Sequence, residues 1–139
     1  MDLSDRNAWR TLNAWAIDEF RKAEGKPKGP WEFKNVLLLT YTGRKSGTQR
    51  TIPLGYFTVG ERIFVMAAKG GYAHDPEWLA SVRERPEVTM TIGTEDRSAT
   101  IRILDEPERT EIYELIADSD TRGAQSLTTR LFPVLEIVS

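Results

Sequence analysis

The sequence predicts a mainly β member of the α+β class: an antiparallel barrel of about six strands with an N-terminal helix and further helices inserted among them. Three observations carry that expectation. Short runs of β-forming residues recur between turn signals, most of them close enough to pair as hairpins. The first twenty or so residues instead show helical spacing. Strands and helices do not alternate regularly, which argues against a doubly wound nucleotide-binding sheet. One domain spanning 1–139 accommodates the 139 residues, with no internal repeat or low-complexity tract.

Ser4 or Asp5 can cap a helix reaching about Lys22. Trp9, Leu12, Ala16 and Phe20 share one face of it, and Trp15 widens that face. The aromatic face either packs on the sheet or lies partly exposed, over a ligand mouth or against membrane lipid. Residues 25–30, rich in Gly and Pro, form a link. Trp31 and Phe33 then tuck against the barrel wall.

Residues 36–42 (VLLLTYT) read as a buried strand stopped by Gly43. A second strand runs over 51–59, where Pro53 marks an edge, a bulge or a strand end. Gly60-Glu61 is a hairpin signal, and 62–68 (RIFVMAA) is a third, buried strand. Asp75-Pro76-Glu77-Trp78 reads as an N-cap, a proline at the first helical position and an acid in the first turn, with the helix ending near Arg85. Val88, Met90 and Ile92 alternate with polar residues, as do Ala99, Ile101 and Ile103 across a turn at 94–96. Pro107 opens a helix carrying Ile112, Tyr113, Leu115 and Ile116. Residues 118–128 are polar and ambiguous, and 131–138 form a last strand that Pro133 places at an edge.

Composition narrows function. The chain is 40% hydrophobic and 29% charged, with a net charge of −2, so bulk electrostatics argues against a nucleic-acid partner. There is no cysteine, and His74 is the single histidine, so thiolate and His-cluster metal sites are excluded. No apolar stretch approaches membrane-spanning length, and the N-terminus does not read as a signal peptide, which makes the cytoplasm the default compartment. Charge is uneven: between Arg21 and Arg50 eight Lys and Arg residues face only Glu24 and Glu32. A local anionic partner fits that imbalance.

The basic stretch centres on Gly43-Arg44-Lys45-Ser46-Gly47-Thr48-Gln49-Arg50. Its glycines let backbone approach a ligand, and its three cations meet no acid. It reads either as a pocket for phosphate or carboxylate or as a solvated hairpin turn. It is not a Walker loop.

Four segments in this order and spacing resemble the deazaflavin-dependent nitroreductase family, the A-type reductases that use coenzyme F420. They are LLLTYTGRKSGTQRTIPL (37–54), AAKGG (67–71), DPEWLASVRERPEV (75–88) and, more weakly, TTRLFPVLEI (128–137). The resemblance implies a split β-barrel and hydride transfer from reduced F420 to an electron-poor acceptor: a quinone, an activated alkene or a nitro-aromatic. It implies that Lys45 and Arg50 hold the cofactor's anionic tail, with Ser46 and Gly47 as donors. Pro53 would line the deazaflavin pocket, Ala67, Ala68, Lys69, Gly70 and Gly71 would approach the ring, and Trp78 would buttress it with Ser81 nearby. The chain departs from the family pattern at Ala68, where serine can stand, at Ser81, where asparagine is usual, at Leu79, where tyrosine is common, and at Gly55, where larger residues occur. Residues 120–129 lack the pocket tyrosines and tryptophan of the nitroimidazole-reducing members. Two alternatives stay open: a flavin mononucleotide (FMN) oxidoreductase on the same barrel, and a module that binds F420 or a lipid-like ligand without turnover. Tyr72 and His74 are candidate proton donors, while Tyr41, Tyr56 and Tyr113 read as packing aromatics.

Overall fold

The structure is a computed structural model that describes residues 5–25, 35–68 and 75–139. The expectations for residues 26–30, Trp31, Phe33, Lys69, Gly70, Gly71, Tyr72 and His74, and for the Trp9 side chain, lie outside the described residues.

Helix α1 (Arg6–Lys22) starts where Asp5 accepts the Asn7 and Ala8 N–H groups at 2.9 and 3.2 Å. It ends in a Schellman turn: Gly25 donates to the Phe20 carbonyl, Glu24 donates to that of Arg21, and Glu24 takes φ 54°. A Cβ on Gly25 would lie 2.3 Å from the Gly93 Cα, so the helix end can rest on that turn only as glycine.

The strands are β1 (Val36–Thr42), β2 (Gln49–Gly55), β3 (Phe57–Val59), β4 (Arg62–Met66), β5 (Glu87–Ile92), β6 (Glu95–Ile103) and β7 (Val134–Val138). They form one sheet in the order β2-β1-β5-β6-β7-β4-β3, antiparallel at every pairing. Its two edge strands, β2 and β3, are separated in the chain by Tyr56 alone. A sheet whose opposite edges share so short a link has to curl round on itself, as sheet twist favours. The result is a split barrel, closed on the β2–β3 side by covalent continuity. Tyr56 donates its N–H to Asn35, which holds the link against the start of β1.

Alternation along the strands sorts the core. Leu37, Leu39 and Tyr41 of β1 join Val65, Met90, Ile101, Leu135 and Ile137 inside the curl, and helix α2 (Glu77–Glu84) plugs it with Trp78, Leu79 and Val82. The opposite face of β1 presents Val36 and Leu38 to Phe20 and Ile17 of α1. Helices α3 (Glu108–Ile116) and α4 (Ser119–Gln125) cover the far side, where Ile112, Tyr113 and Ile116 meet Phe64, Phe132 and Val134. Arg62, Arg102, Glu108 and Glu136 form an ion network that ties α3 to β4, β6 and β7.

Several local expectations need correction. The strand expected over 51–59 is two strands, broken at Tyr56 where the sheet changes edges. The strand expected over 62–68 stops at Met66. The turn after β5 is Gly93-Thr94, since Ile92 already pairs with Glu95 and Gly93 takes φ 60°. The last strand is internal, between β6 and β4. Pro133 precedes it and removes no ladder donor, and its carbonyl accepts the Ala67 N–H. Residues 119–125 are helical, capped by Asp118. Pro76, not Asp75, occupies the N-cap of α2, and the Asp75 carboxylate is turned toward Arg130. Trp15 is 47% exposed and does not join the buried face of α1.

Candidate functional site

The β1–β2 turn is built on its own hydrogen bonds. Gly43 donates to Thr48 and Gly47 donates to Gly43, each at 2.9 Å. Gly47 takes φ 67°, which a side chain would strain. The Thr48 N–H is taken by the Ser46 hydroxyl, and the Arg44 N–H by the Ser81 hydroxyl of α2. Four of the backbone donors are therefore committed. Among the described residues only the Lys45 and Ser46 N–H groups of this turn carry no hydrogen bond. Gly47 sets the turn's conformation rather than offering a donor, and the turn's charged groups are the Arg44, Lys45 and Arg50 side chains.

The turn overhangs a cleft of about 760 Å³. One wall is Arg10, Asn13, Ala14 and Ile17 of α1. The opposite wall is α2 with Trp78, Ser81 and Arg83. Between them runs the edge strand β2 with Thr51, Ile52, Pro53 and Leu54, and Met66 and Ala68 close the β4 end. Arg50 to Leu54 are consecutive, so residues from both faces of β2 line the space.

Cations dominate the rim: Arg10, Arg44, Lys45, Arg50 and Arg83 against Asp75 and Glu77. The Asp75 charge is met by Arg130 at 2.8 Å. The Arg44, Lys45 and Arg50 side chains form no ion pair with another described residue. Register places Arg50 directly across from Tyr41, on the same face of the hairpin. Burial pushes the Tyr41 phenol above its ordinary value, with Glu77 adding to the rise and the Arg50 and Arg10 charges opposing it. The phenol therefore stays protonated across the neutral range. A cationic rim on a partly apolar trough suits a ligand with a flat ring at one end and several anionic groups at the other.

The structure brings Lys45, Ser46, Arg50, Pro53, Ala68, Trp78 and Ser81 to this one cleft. Ala67 has a fully buried side chain in the barrel core and presents only backbone nearby. Tyr41 packs in the barrel core, as read from the sequence, and also lines the cleft; that second role and the α1 wall were not foreseen. Arg10, Asn13, Ala14 and Ile17 stand at helical spacing beside the apolar stripe, and that second stripe was the available signal.

The pattern of the F420H(2)-dependent quinone reductase family matches residues 14–138. The chain belongs to that family. It is accordingly an oxidoreductase. It is similar to Rv3178 of Mycobacterium tuberculosis, named for F420H(2)-dependent quinone reduction, with 31% identity over 102 residues covering 72% of this chain and 86% of the relative. Among solved structures it resembles an F420-H2 dependent reductase (FDR-A) at 31% identity and TM-score 0.65, covering 73% of this chain and 92% of the other. A structure described as a domain-swapped dimer aligns over 96% of this chain and 99% of its own, at 27% identity and TM-score 0.65. The A-type reductase resemblance carried by residues 37–54, 67–71 and 75–88 agrees with these findings.

Proposed function

We propose that this enzyme seats coenzyme F420 in the cleft between α1, the β1–β2 hairpin and α2, and uses it to reduce an electron-poor small molecule of the quinone class. One observation carries the reading: Arg44, Lys45 and Arg50 stand unpaired with other described residues along a trough otherwise walled by Ile52, Pro53, Leu54 and Trp78. The residues fit the group. Lys45 and Arg50 supply charge-assisted donors to tail phosphate and carboxylates, and Pro53 and Trp78 wall the ring. When bound, reduced F420 supplies the hydride, since that chemistry belongs to the cofactor.

The chain's own residues bind, orient and exclude water. Trp78, only 7% exposed, is fixed by the barrel core and gives the cleft a rigid side. Tyr41 holds a proton at Oη close to Arg50 and offers a hydrogen bond inside the cleft. Ala68 lines the cleft without a side-chain donor, so reduction of the acceptor draws its proton from elsewhere, a bound water or the Tyr41 phenol, while backbone N–H groups stabilise the developing anion by hydrogen bonding. FMN would use fewer of these cations than a tail bearing several charges, and the family's own name specifies F420H(2). Lipid contact through α1 has the half-exposed Trp15 as its support among the described residues, and no helix there is long and apolar enough to cross a membrane.

The test is anaerobic mixing of the protein with reduced F420 and a simple naphthoquinone, following the return of deazaflavin fluorescence. Multiple turnovers above the protein-free rate are expected. Background oxidation despite bound cofactor overturns the quinone assignment.

A further inference from the structure

Arg130 precedes β7, does not itself line the cleft, and yet joins two parts of its border. Its Nη1 donates to the Ala67 carbonyl at 2.9 Å and to Asp75 Oδ1 at 2.8 Å, and its Nη2 donates to the Ala68 carbonyl at 2.8 Å. The guanidinium also lies 5.0 Å from the centre of the Phe132 ring, and the side chain is only 13% exposed. Ala68 is at the exit of β4 and Asp75 at the entry to α2, and both line the cleft. The arginine is held in turn: Gln125 of α4 donates to the Arg130 carbonyl at 2.7 Å and accepts the Phe132 N–H, and the Arg130 N–H is taken by the Thr128 hydroxyl.

We infer that Arg130 is a positioning residue for the cofactor cleft, fixing Ala68 relative to Asp75 and hence to Trp78 three residues on. This rests on the proposed F420 reading. The planar fork suits the role, because three acceptors on two segments among the described residues are met from one rigid group held against a ring. A lysine ammonium at the same place has neither the fork nor the stacking plane. The shortage of aromatic residues in 120–129 is thus accompanied by a different use of the segment that follows: it supports the cleft from behind.

The experiment compares Arg130→Met, Arg130→Lys and Asp75→Ala with Arg62→Met, which cuts ion pairs to Glu108 and Glu136 and takes no part in the cleft. Each is melted, then titrated with F420 at a temperature where it is folded. Arg130→Met is expected to raise the F420 dissociation constant about tenfold or more, with Arg130→Lys failing to restore it. Asp75→Ala is expected to weaken binding by a smaller factor, because the two carbonyl bonds survive. Arg62→Met is expected to lower the melting temperature and leave the dissociation constant within about twofold. Unchanged affinity in every Arg130 or Asp75 variant that folds overturns the inference. So does an equal loss in Arg62→Met, since the effect would then be general instability. If Arg130→Met does not fold, Arg130→Lys and Asp75→Ala decide. Failure of the wild type to bind F420 would instead defeat the cofactor reading itself.

Discussion

The Ser81 hydroxyl accepts the Arg44 N–H at 3.1 Å, joining α2 to the basic turn across 37 positions of sequence. Ser81 is buried, so the bond sits where water does not compete freely. It fixes the turn's height over the cleft. Ser81→Ala is therefore expected to cost about 0.5–1.5 kcal/mol of stability, read from chemical denaturation, and to weaken F420 binding several-fold. A stability loss with binding unchanged would restrict the contact to folding.

Lys45 and Arg50 are exposed, and neither pairs with another described residue. Replacing either with alanine removes a proposed cofactor contact without leaving an orphaned acid among the described residues. Each variant is expected to lose about 1–3 kcal/mol of F420 binding and little stability. Raising salt should weaken the wild type more than either variant, since the lost charge carries part of the screened attraction. Titrations at two ionic strengths check both statements.

Trp78 belongs to the barrel core and to the cleft at once. Trp78→Ala is expected to cost about 3–5 kcal/mol of folding free energy, as loss of a large buried aromatic does, and to loosen the cofactor. Thermal melting and titration read the two effects separately. Unchanged melting would contradict the burial of Trp78 in the barrel core.

What the sequence made legible was periodic or chemically marked. VLLLTYT is apolar on both faces because β1 lies between the barrel interior and α1, and Pro53 signalled an edge because β2 is one. The turn cations were visible as three charges without an acid. Pro133 misled because a proline one residue before a strand looks like a proline within an edge strand, and only pairing distinguishes them. Tyr41 packs as its sequence context indicated, but its place in the cleft was hidden for a related reason. Whether a packed tyrosine also lines a cleft depends on its register with Arg50 and on where α2 lands. Arg130 carried no local signal, since the described acceptors of its guanidinium are 55 or more positions away.

The Arg62, Arg102, Glu108 and Glu136 network is expected to contribute strongly to the acid response, alongside the lowered Glu95 and Glu106 carboxylates. Hydrogen bonds from Arg102 and Arg62 hold Glu108 down to about 2, and bonds from Arg62 and Arg102 lower Glu136. Depressed carboxylates contribute stability that is complete above their unfolded value near 4.5 and is lost as pH falls through the folded value. Melting temperature should therefore drop between pH 4.5 and about 2. Glu136→Gln should be less stable at pH 7 and show a shallower drop over the same interval. Parallel curves for the two proteins would show that the network does not set the acid response.

On the proposed reading, the cationic cleft takes a ring with a long anionic tail. The most direct measurement is a fluorescence titration of the protein with F420 and with FMN, side by side in one low-salt buffer and again at raised salt. F420 is expected to bind more tightly, with an advantage that shrinks as salt rises because the extra tail charges supply it. Equal affinities, FMN binding more tightly, or an F420 advantage that salt leaves untouched would contradict it.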